Sequence, residues 1–302
     1  MNGKPIKNVA ASIRQKILDK SRKEKRPFLE LAQYYAMERF LYRLSLSPHI
    51  ENYILKGALM LWIWQAPIFR PTKDIDLLGK TKNEEDNIAY QIRNICNVSV
   101  DPDGLLFDPN TIKTQTIKEG ADYEGIRVYL ICNLDTVRIK LQIDIGFGDI
   151  VYPKPRKAKI PSILDLPQGN LACYTKESVI AEKLEAMVKL GGLNSRMKDF
   201  YDVWLLVSNF NFQGKTITEA IKRTFSHRKT EMPERITAFS SSFIQSKTTQ
   251  WNAFRTKLKQ ENIPSELGNI IFKIKEFIDP IIQKMRVRDH HRGKWIAPGP
   301  WQ

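Results

Sequence analysis

Residues 137–149 carry the pattern that most constrains the fold of this chain. Apolar and polar side chains alternate from Val137 to Asp144, so that one side of a strand is apolar and the other polar. Such a strand packs its apolar side on a core and leaves its polar side on the other face of a sheet. The sequence therefore predicts a sheet strand with Asp144 on its polar side, either as part of a site or at a plain exposed strand end.

A second short strand carries two acids, Asp74 and Asp76, separated by Ile75. Period-two geometry places both carboxylates on the same side, where they repel each other unless a cation lies between them. Mg²⁺ prefers oxygen ligands and completes its shell with water and substrate phosphates. The pair therefore predicts a phosphoryl or nucleotidyl transfer site, and Asp144 joins it if the two strands are neighbours.

Residues 53–64 predict a strand, a tight turn at Gly57 and Ala58, and then a helix. Backbone N–H groups at the start of a helix have no partner within the helix and can bind phosphate. The turn is thus a candidate seat for a nucleotide, and a buried helix with a packing glycine is the alternative.

Two later helices each carry one charge on an apolar side. Thr175 is a plausible N-cap for the first, which stops at Gly191 and places Lys183 among apolar residues. The next helix places Asp199 along its apolar side. Opposite charges on consecutive helices suggest an ion pair, either purely structural or serving a lysine near a triphosphate.

Five motifs in this order resemble the AbiEii/AbiGii nucleotidyltransferase toxins over about residues 28–207. They are Leu55-Lys56-Gly57-Ala58, Thr72-Lys73-Asp74-Ile75-Asp76, Ile143-Asp144-Ile145-Gly146-Phe147-Gly148-Asp149, Glu182-Lys183-Leu184-Glu185-Ala186 and Arg196-Met197-Lys198-Asp199-Phe200-Tyr201-Asp202. The resemblance implies an α/β (α+β) fold of the polymerase-β-like nucleotidyltransferase superfamily, with a mixed sheet, flanking helices and a C-terminal helical domain. It also implies the toxin half of a toxin–antitoxin or phage-defence pair, with a cognate antitoxin as partner. Some relatives transfer nucleotides from NTPs to tRNA 3′ ends.

The resemblance also assigns roles to individual residues. The implied catalytic residues are Asp74, Asp76, Lys183 and Asp199, the metal ligands are Asp74, Asp76 and Asp144, and the nucleotide-binding residues are Gly57, Ala58, Thr72 and Lys183. Asp144 is expected to be a third Mg²⁺ ligand or the base that deprotonates the attacking hydroxyl. Two positions depart from the family pattern: Ala58 offers only a backbone N–H, and Arg70 is separated from Thr72 by Pro71, so Arg70 receives no role.

The chain has a net charge of +15, and the excess of positive charge lies outside the segment that carries the motifs. It amounts to +7 for residues 1–50, −1 for residues 51–207 and +9 for residues 208–302. Basic segments around a nearly neutral core suit an enzyme that grips a polyanion such as RNA outside its active site. Solvated helix faces and a docking surface for an acidic antitoxin are the alternatives.

The motifs and the charge distribution predict four segments: a basic N-terminal helical segment (1–27), the nucleotidyltransferase domain (28–172), a helical domain (173–285) and a basic tail (286–302). The prolines, glycines and charges of the tail suggest that it does not pack, whereas the aromatic residues of the C-terminal helices are expected in the core. The aromatic residues considered are Trp251, Phe254, Phe272 and Phe277.

Three widely spaced cysteines suit a reducing cytosol, and no segment is long and apolar enough to suggest a membrane span, so a cytoplasmic protein is expected. The sequence favours an enzyme that transfers a nucleotide from an NTP to RNA, most naturally a tRNA 3′ end, with Mg²⁺. A nucleotidyltransferase acting on a small molecule or a protein side chain, and a non-catalytic nucleotide-binding protein, are the alternatives.

Overall fold

The computed structural model describes residues 8–67, 70–119, 123–258 and 262–302. Two compact units divide the chain. Unit 1 comprises the described residues of Met1–Trp64, Thr72–Gly148 and Arg156–Cys173, and unit 2 those of Gln65–Pro71, Asp149–Pro155 and Tyr174–Gln302. These units describe how the chain packs, and the division into four functional segments stays a prediction.

Unit 1 is built on a mixed sheet of seven strands in the described part of the chain, in the order β3-β4-β5-β2-β1-β7-β6. Its strands are β1 Tyr53–Lys56, β2 Asp74–Gly79, β3 Leu105–Glu119, β4 Tyr123–Leu134, β5 Val137–Phe147, β6 Arg156–Lys159 and β7 Asn170–Cys173. Its helices are α1 Val9–Glu24, α2 Phe28–Leu46, α3 Leu59–Ile63 and α4 Glu85–Cys96.

The core of unit 1 lies on one face of this sheet. In β5 the alternating residues Ile139, Leu141, Ile143 and Ile145 are buried, as the period-two pattern predicts. Helix packing covers this face: the Phe40 ring of α2, for example, lies 6.1 Å from the Phe107 ring of β3. The polar residues of β5 therefore belong to the opposite face.

Strand order brings the two acidic segments together. The second strand pairs in parallel with β5, and Asp76 stands opposite Asp144 in the register. On its other side β2 pairs antiparallel with β1, and Lys56 stands opposite Asp76. The strand with Asp144 is therefore a neighbour of the strand with Asp74 and Asp76, which is the condition that the sequence left open for Asp144 to join these two acids.

Unit 2 is mainly helical. Its elements are α5 Lys176–Leu190, α6 Met197–Asn209, β8 Phe212–Gln213, α7 Gly214–His227, α8 Ser241–Leu258, α9 Leu267–Arg286 and β9 Lys294–Trp295. Thr175 caps α5 as predicted, because its hydroxyl accepts a hydrogen bond from the Ser178 N–H at 3.3 Å. The predicted α/β fold class, with a mixed sheet and a helical C-terminal part, is confirmed.

The expectation that residues 286–302 do not pack is wrong. Trp295 is fully buried, and its indole N–H donates to the Val207 carbonyl at 2.6 Å. The Trp301 ring stacks on Phe277 at 5.0 Å, and β9 pairs with β8. Large aromatic rings bury enough apolar surface to hold a segment whose prolines and charges suggest a loose tail.

The C-terminal aromatic residues are less uniform than expected. Trp251 and Phe277 are fully buried, but Phe272 is 70% exposed on α9, so its placement in the core is wrong. None of the helices in the described part of the chain combines the length and the apolarity that crossing a bilayer requires.

Candidate functional site

Three carboxylates meet on the face of the sheet opposite the core of unit 1. One oxygen atom from each of Asp74, Asp76 and Asp144 lies within 4.8 Å of the other two. Asp144 is buried, and the other two are half-buried. The parallel register of β2 and β5 produces this acid cluster, because it places Asp76 directly beside Asp144.

Gly57 makes room for one of these acids. Its φ of +76° is a conformation that side chains with a Cβ rarely adopt. A Cβ at this position would lie only 1.8 Å from Oδ2 of Asp76. The Gly57 turn and the Asp76 carboxylate are therefore built against each other, and any other residue at 57 would displace the acid.

The turn at Gly57 and Ala58 leads into a short helix. Helix α3 has five residues, and the backbone N–H groups of Met60 and Leu61 donate to the carbonyls of Gly57 and Ala58. Its dipole is correspondingly small. Nucleotide binding by Gly57 and Ala58 stays a prediction. It would depend on the backbone N–H groups of the turn, because the dipole of so short a helix contributes little.

Thr72 orients the first acid. Its hydroxyl donates to Oδ1 of Asp74, and its backbone N–H donates to the Tyr34 hydroxyl of α2 at 3.1 Å. Thr72 is buried. In this structure the threonine acts directly on Asp74, which gives it a positioning contact in addition to the predicted nucleotide-binding role.

Arg127 of β4 holds the third acid. Its Nε and Nη2 donate to the two oxygens of Asp144 at 2.8 and 2.7 Å, in the bidentate geometry that arginine and carboxylate favour. Gln142 adds contacts from its amide at 3.1 and 3.2 Å. The hydrogen bonds to Asp144 raise the pKa of Arg127 above its ordinary value, so the guanidinium stays charged.

The acid cluster fits an oxygen-coordinated divalent cation. Ligands at roughly 2.0–2.1 Å from Mg²⁺ stand about 3–4 Å from one another, so a separation of up to 4.8 Å requires only a small contraction. Carboxylate oxygens are the donors that Mg²⁺ prefers. Arg127 and the Gln142 amide together contact both oxygens of Asp144, so a cation ligated by Asp144 would replace one of the longer Gln142 contacts.

A second group of charges lies in unit 2, where Lys183 of α5 meets α6. Its Nζ lies 2.7 Å from Asp199 and 2.9 Å from Asp202. Arg196 contacts the other oxygen of Asp199 at 2.6 Å, and Arg70 grips Asp202 at 3.0 and 3.2 Å. The predicted meeting of Lys183 with Asp199 is confirmed, and we call these five residues the lysine cluster.

The lysine cluster keeps its charges despite burial. Burial alone would lower the pKa of Lys183, but Asp199 and Asp202 outweigh it and raise that pKa. Burial would raise the pKa of Asp199, but Lys183 and Arg196 lower it. For Asp202, Arg70 and Lys183 likewise outweigh burial and lower the pKa. Lys183, Asp199 and Asp202 are therefore ionised at neutral pH.

Sequence reasoning missed three partners of these residues. Arg127 stands among apolar residues in the strand before Asp144, and only the pairing of β4 with β5 reveals its contact. Asp202 follows Asp199 by three residues, so one turn of α6 puts both on the same side. Arg70, left without a role, pairs with Asp202, which its sequence position could not indicate.

A cavity of about 680 Å³ in unit 1 is separate from the acid cluster. The start of α1, the segment Cys96–Phe107 and Arg43 line it, and Arg43 pairs with Asp103 at 2.7 Å. None of the three clustered acids lines this cavity.

Comparison with known families decides which family the chain belongs to. The model of the family "Nucleotidyl transferase AbiEii toxin, Type IV TA system" matches residues 39–273. The chain belongs to this family. It is therefore an AbiEii nucleotidyltransferase, from a family of type IV toxin–antitoxin systems, and this confirms the resemblance found in the sequence.

Two solved structures similar to this AbiEii nucleotidyltransferase come from Helicobacter pylori. One, described as a candidate nucleotidyltransferase, is 14% identical, with 86% of this chain and 98% of that chain covered and a TM-score of 0.46. The other, JHP933, is 14% identical, with 86% and 97% covered and a TM-score of 0.48. Among curated proteins, none matches this chain.

Proposed function

We propose that this AbiEii nucleotidyltransferase transfers a nucleotide from an NTP to the 3′ end of an RNA, with tRNA as the acceptor class, and that it requires Mg²⁺. The observation that carries the proposal is the convergence of three carboxylate oxygens within 4.8 Å on a face where Gly57 leaves space for Asp76. This convergence is what an enzyme of phosphoryl chemistry needs at its reacting phosphate.

Asp74, Asp76 and Asp144 would hold the cation. When bound, Mg²⁺ would neutralise negative charge on the phosphate that is attacked and on the phosphates that leave. Thr72 and Gln142 keep two of these acids oriented through the hydrogen bonds described above. Asp144 would act either as a metal ligand or as the base for the acceptor hydroxyl. Its ion pair with Arg127 would hold the carboxylate in place for either role.

Gly57 and Ala58 would contact the triphosphate through their backbone, and Thr72 would bind the nucleotide beside Asp74. Lys183 would neutralise phosphate charge, and Asp199 would hold it. The ion pair of 2.7 Å and the raised pKa of Lys183 support a lysine that stays protonated for this task.

We also propose an antitoxin protein as the partner that restrains the enzyme, and a role in phage defence. Membership in a type IV toxin–antitoxin family supports the partner. The excess of positive charge outside residues 51–207 supports a polyanionic substrate.

The test is transfer of radioactive label from each NTP to total RNA by the purified protein. We expect labelled tRNA with the unaltered chain and a loss of about a thousandfold or more with Asp76→Asn, because the amide removes a ligand charge. The matched control is Asp101→Asn, which removes an exposed carboxylate of unit 1 outside the acid cluster. Undiminished labelling by Asp76→Asn would refute the assignment of the site.

A second readout separates metal binding from turnover. Mg²⁺ at five times its dissociation constant should stabilise the unaltered chain by about 1 kcal/mol and Asp76→Asn much less, as measured by thermal unfolding. NTP consumption without any labelled RNA would instead indicate a small-molecule or protein acceptor. Nucleotide binding without turnover on any acceptor would indicate a non-catalytic protein.

A further inference from the structure

The sheet face that carries the acid cluster continues outward over β5, β4 and the edge strand β3. On this face stand Lys113 and Gln115 of β3, Tyr129 of β4, and Arg138 and Lys140 of β5, which we call the sheet platform. All but Tyr129 are exposed, and Tyr129 is half-buried. The helix-covered face lies on the other side of the same strands, where Val128, Leu130 and Ile139 are buried.

The platform is basic. Together with Arg127 it carries four cations, whereas the acids among the described side chains on this face of β3, β4 and β5 are Asp144 and Asp108. Asp144 is matched by Arg127, and the Asp108 carboxylate accepts a hydrogen bond from the Asn110 N–H at the register shift of β3. The remaining charge of this face is positive.

One aromatic ring lies at the centre of the platform. The Lys140 ammonium lies 4.1 Å from the centroid of the Tyr129 ring, and Arg127 stands on the same face of β4, two residues before Tyr129. A ring flanked by cations on an open sheet is the combination that single-stranded nucleic acids use, because bases stack on the ring while cations meet the phosphates.

The platform leads directly into the acid cluster. In the register Lys113 stands beside Tyr129, Tyr129 beside Gln142, and Gln142 beside Asp74. A second row runs from Gln115 through Arg127 and Asp144 to Asp76. With neighbouring strands about 4.8 Å apart, Tyr129 is roughly 10 Å from the Asp74 strand, which suits a base close to the reacting end of an acceptor.

We propose that the sheet platform binds the single-stranded 3′ end of the acceptor RNA, with one base stacked on Tyr129 and the phosphates contacted by Lys113, Arg138 and Lys140. This inference rests on the proposed function, since it names the surface that presents the acceptor to the acid cluster. An unstructured end fits better than a duplex, because stacking on a protein ring requires an unpaired base.

The test measures binding of a fluorescent single-stranded RNA, ending in a 3′ hydroxyl, to the full chain without NTP. We expect the triple variant Lys113→Gln/Arg138→Gln/Lys140→Gln to lose affinity at least about tenfold. The slope of log affinity against log salt should shrink by about two, since each phosphate contact on a single strand contributes about 0.7. The matched control is Lys80→Gln/Lys82→Gln/Arg93→Gln, which removes three exposed cations of unit 1 outside the platform.

The ring is tested separately. Tyr129→Leu should lose affinity about tenfold, while Tyr129→Phe, which keeps the ring, should bind nearly as well as the unaltered chain. Circular dichroism and the thermal midpoint serve as checks that each variant is folded.

The outcomes distinguish this inference from the proposed function. If the unaltered chain labels and binds RNA but the platform variants bind it as well as the matched control does, the platform is refuted and the proposed function stands. If the unaltered chain neither binds nor labels RNA, both are refuted. If the platform variants keep RNA affinity but lose binding of the antitoxin, the face belongs to the protein partner instead.

Discussion

The acid cluster and the lysine cluster both combine carboxylates with cations, but they differ in which charge is in excess. In unit 1, three carboxylates converge on one point of an open sheet face, and the cations beside them in the strand register are Lys56 and Arg127. In unit 2, two carboxylates are held by Lys183, Arg196 and Arg70, and Asp199 is fully buried. The first cluster has an excess of negative charge and the second an excess of positive charge.

This difference separates two kinds of polar site. Carboxylates that share a point gain most from a cation that comes from outside, so the acid cluster is arranged for binding at some cost to stability. Carboxylates that are each enclosed by cations are already compensated, so removing one of them leaves buried charge behind. Stability should therefore depend on the lysine cluster, and metal binding on the acid cluster.

The largest expected effect is on the lysine cluster. Asp199→Ala removes one of the two carboxylates that Lys183 contacts in the interior, together with the partner of Arg196, and should lower the free energy of unfolding by about 3–5 kcal/mol. Urea unfolding followed by tryptophan fluorescence measures this change. Asp74→Asn, which relieves repulsion in the acid cluster, should leave the free energy within about 1 kcal/mol. Equal losses in the two variants would contradict the comparison.

A smaller effect is expected at the glycine beside the acid cluster. Gly57→Ala forces a Cβ onto the Asp76 carboxylate in a strained backbone conformation, and should cost about 1–3 kcal/mol. Asp76→Ala introduced in the same chain should recover part of this loss, because it removes the clashing group. Gly268→Ala in α9 is the control, since a Cβ there meets only Ile244 at 3.9 Å. If the losses of stability caused by Gly57→Ala and by Asp76→Ala simply add in the double variant, the clash is not the source of the lost stability.

The smallest effect concerns pH. The pKa values of Asp199 and Asp202 are lowered in the folded chain, so their stabilisation is present above the ordinary carboxyl range and is lost as the pH falls through the lowered values. The pKa of Lys183 is raised, so its contribution is full at neutral pH and is lost only in strong alkali. We expect the free energy of unfolding to fall below about pH 4.

The variant Asp199→Asn should show a flatter dependence on pH in that acid range than the unaltered chain, as measured by urea unfolding at a series of pH values. Asp101→Asn, which changes an exposed acid, is the control and should follow the unaltered chain. An unchanged acid slope in Asp199→Asn would mean that Asp199 is not a source of the pH dependence.

Local patterns in the sequence predicted the elements that carry the acid cluster. Alternation located β5 and the side of Asp144, and the spacing of Asp74 and Asp76 placed both on one face of β2. The meeting of Lys183 with Asp199 followed from two charges on apolar helix sides. Each of these inferences depends on the geometry of a single element or of two consecutive ones.

Contacts set by strand order or by distant segments could not be predicted in this way. Arg127 meets Asp144 because β4 lies beside β5, and Arg70 meets Asp202 across a separation of 132 residues. The buried closing segment was misjudged because composition describes a tendency to pack and does not identify a partner, whereas Trp295 finds one in Val207 and Phe277.

The buried position of Trp295 has a consequence for the synthesis of the chain. The core of unit 2 contains Trp295, which meets Phe277 of α9 edge to face, and Trp301 stacks on the same ring. Both tryptophans are translated after the described helices of the unit. Phe277 therefore stays uncovered until translation has passed residue 301. Unit 2 can thus reach its final packing only after the closing segment has followed α9, so its folding cannot be completed while its helices are being synthesised.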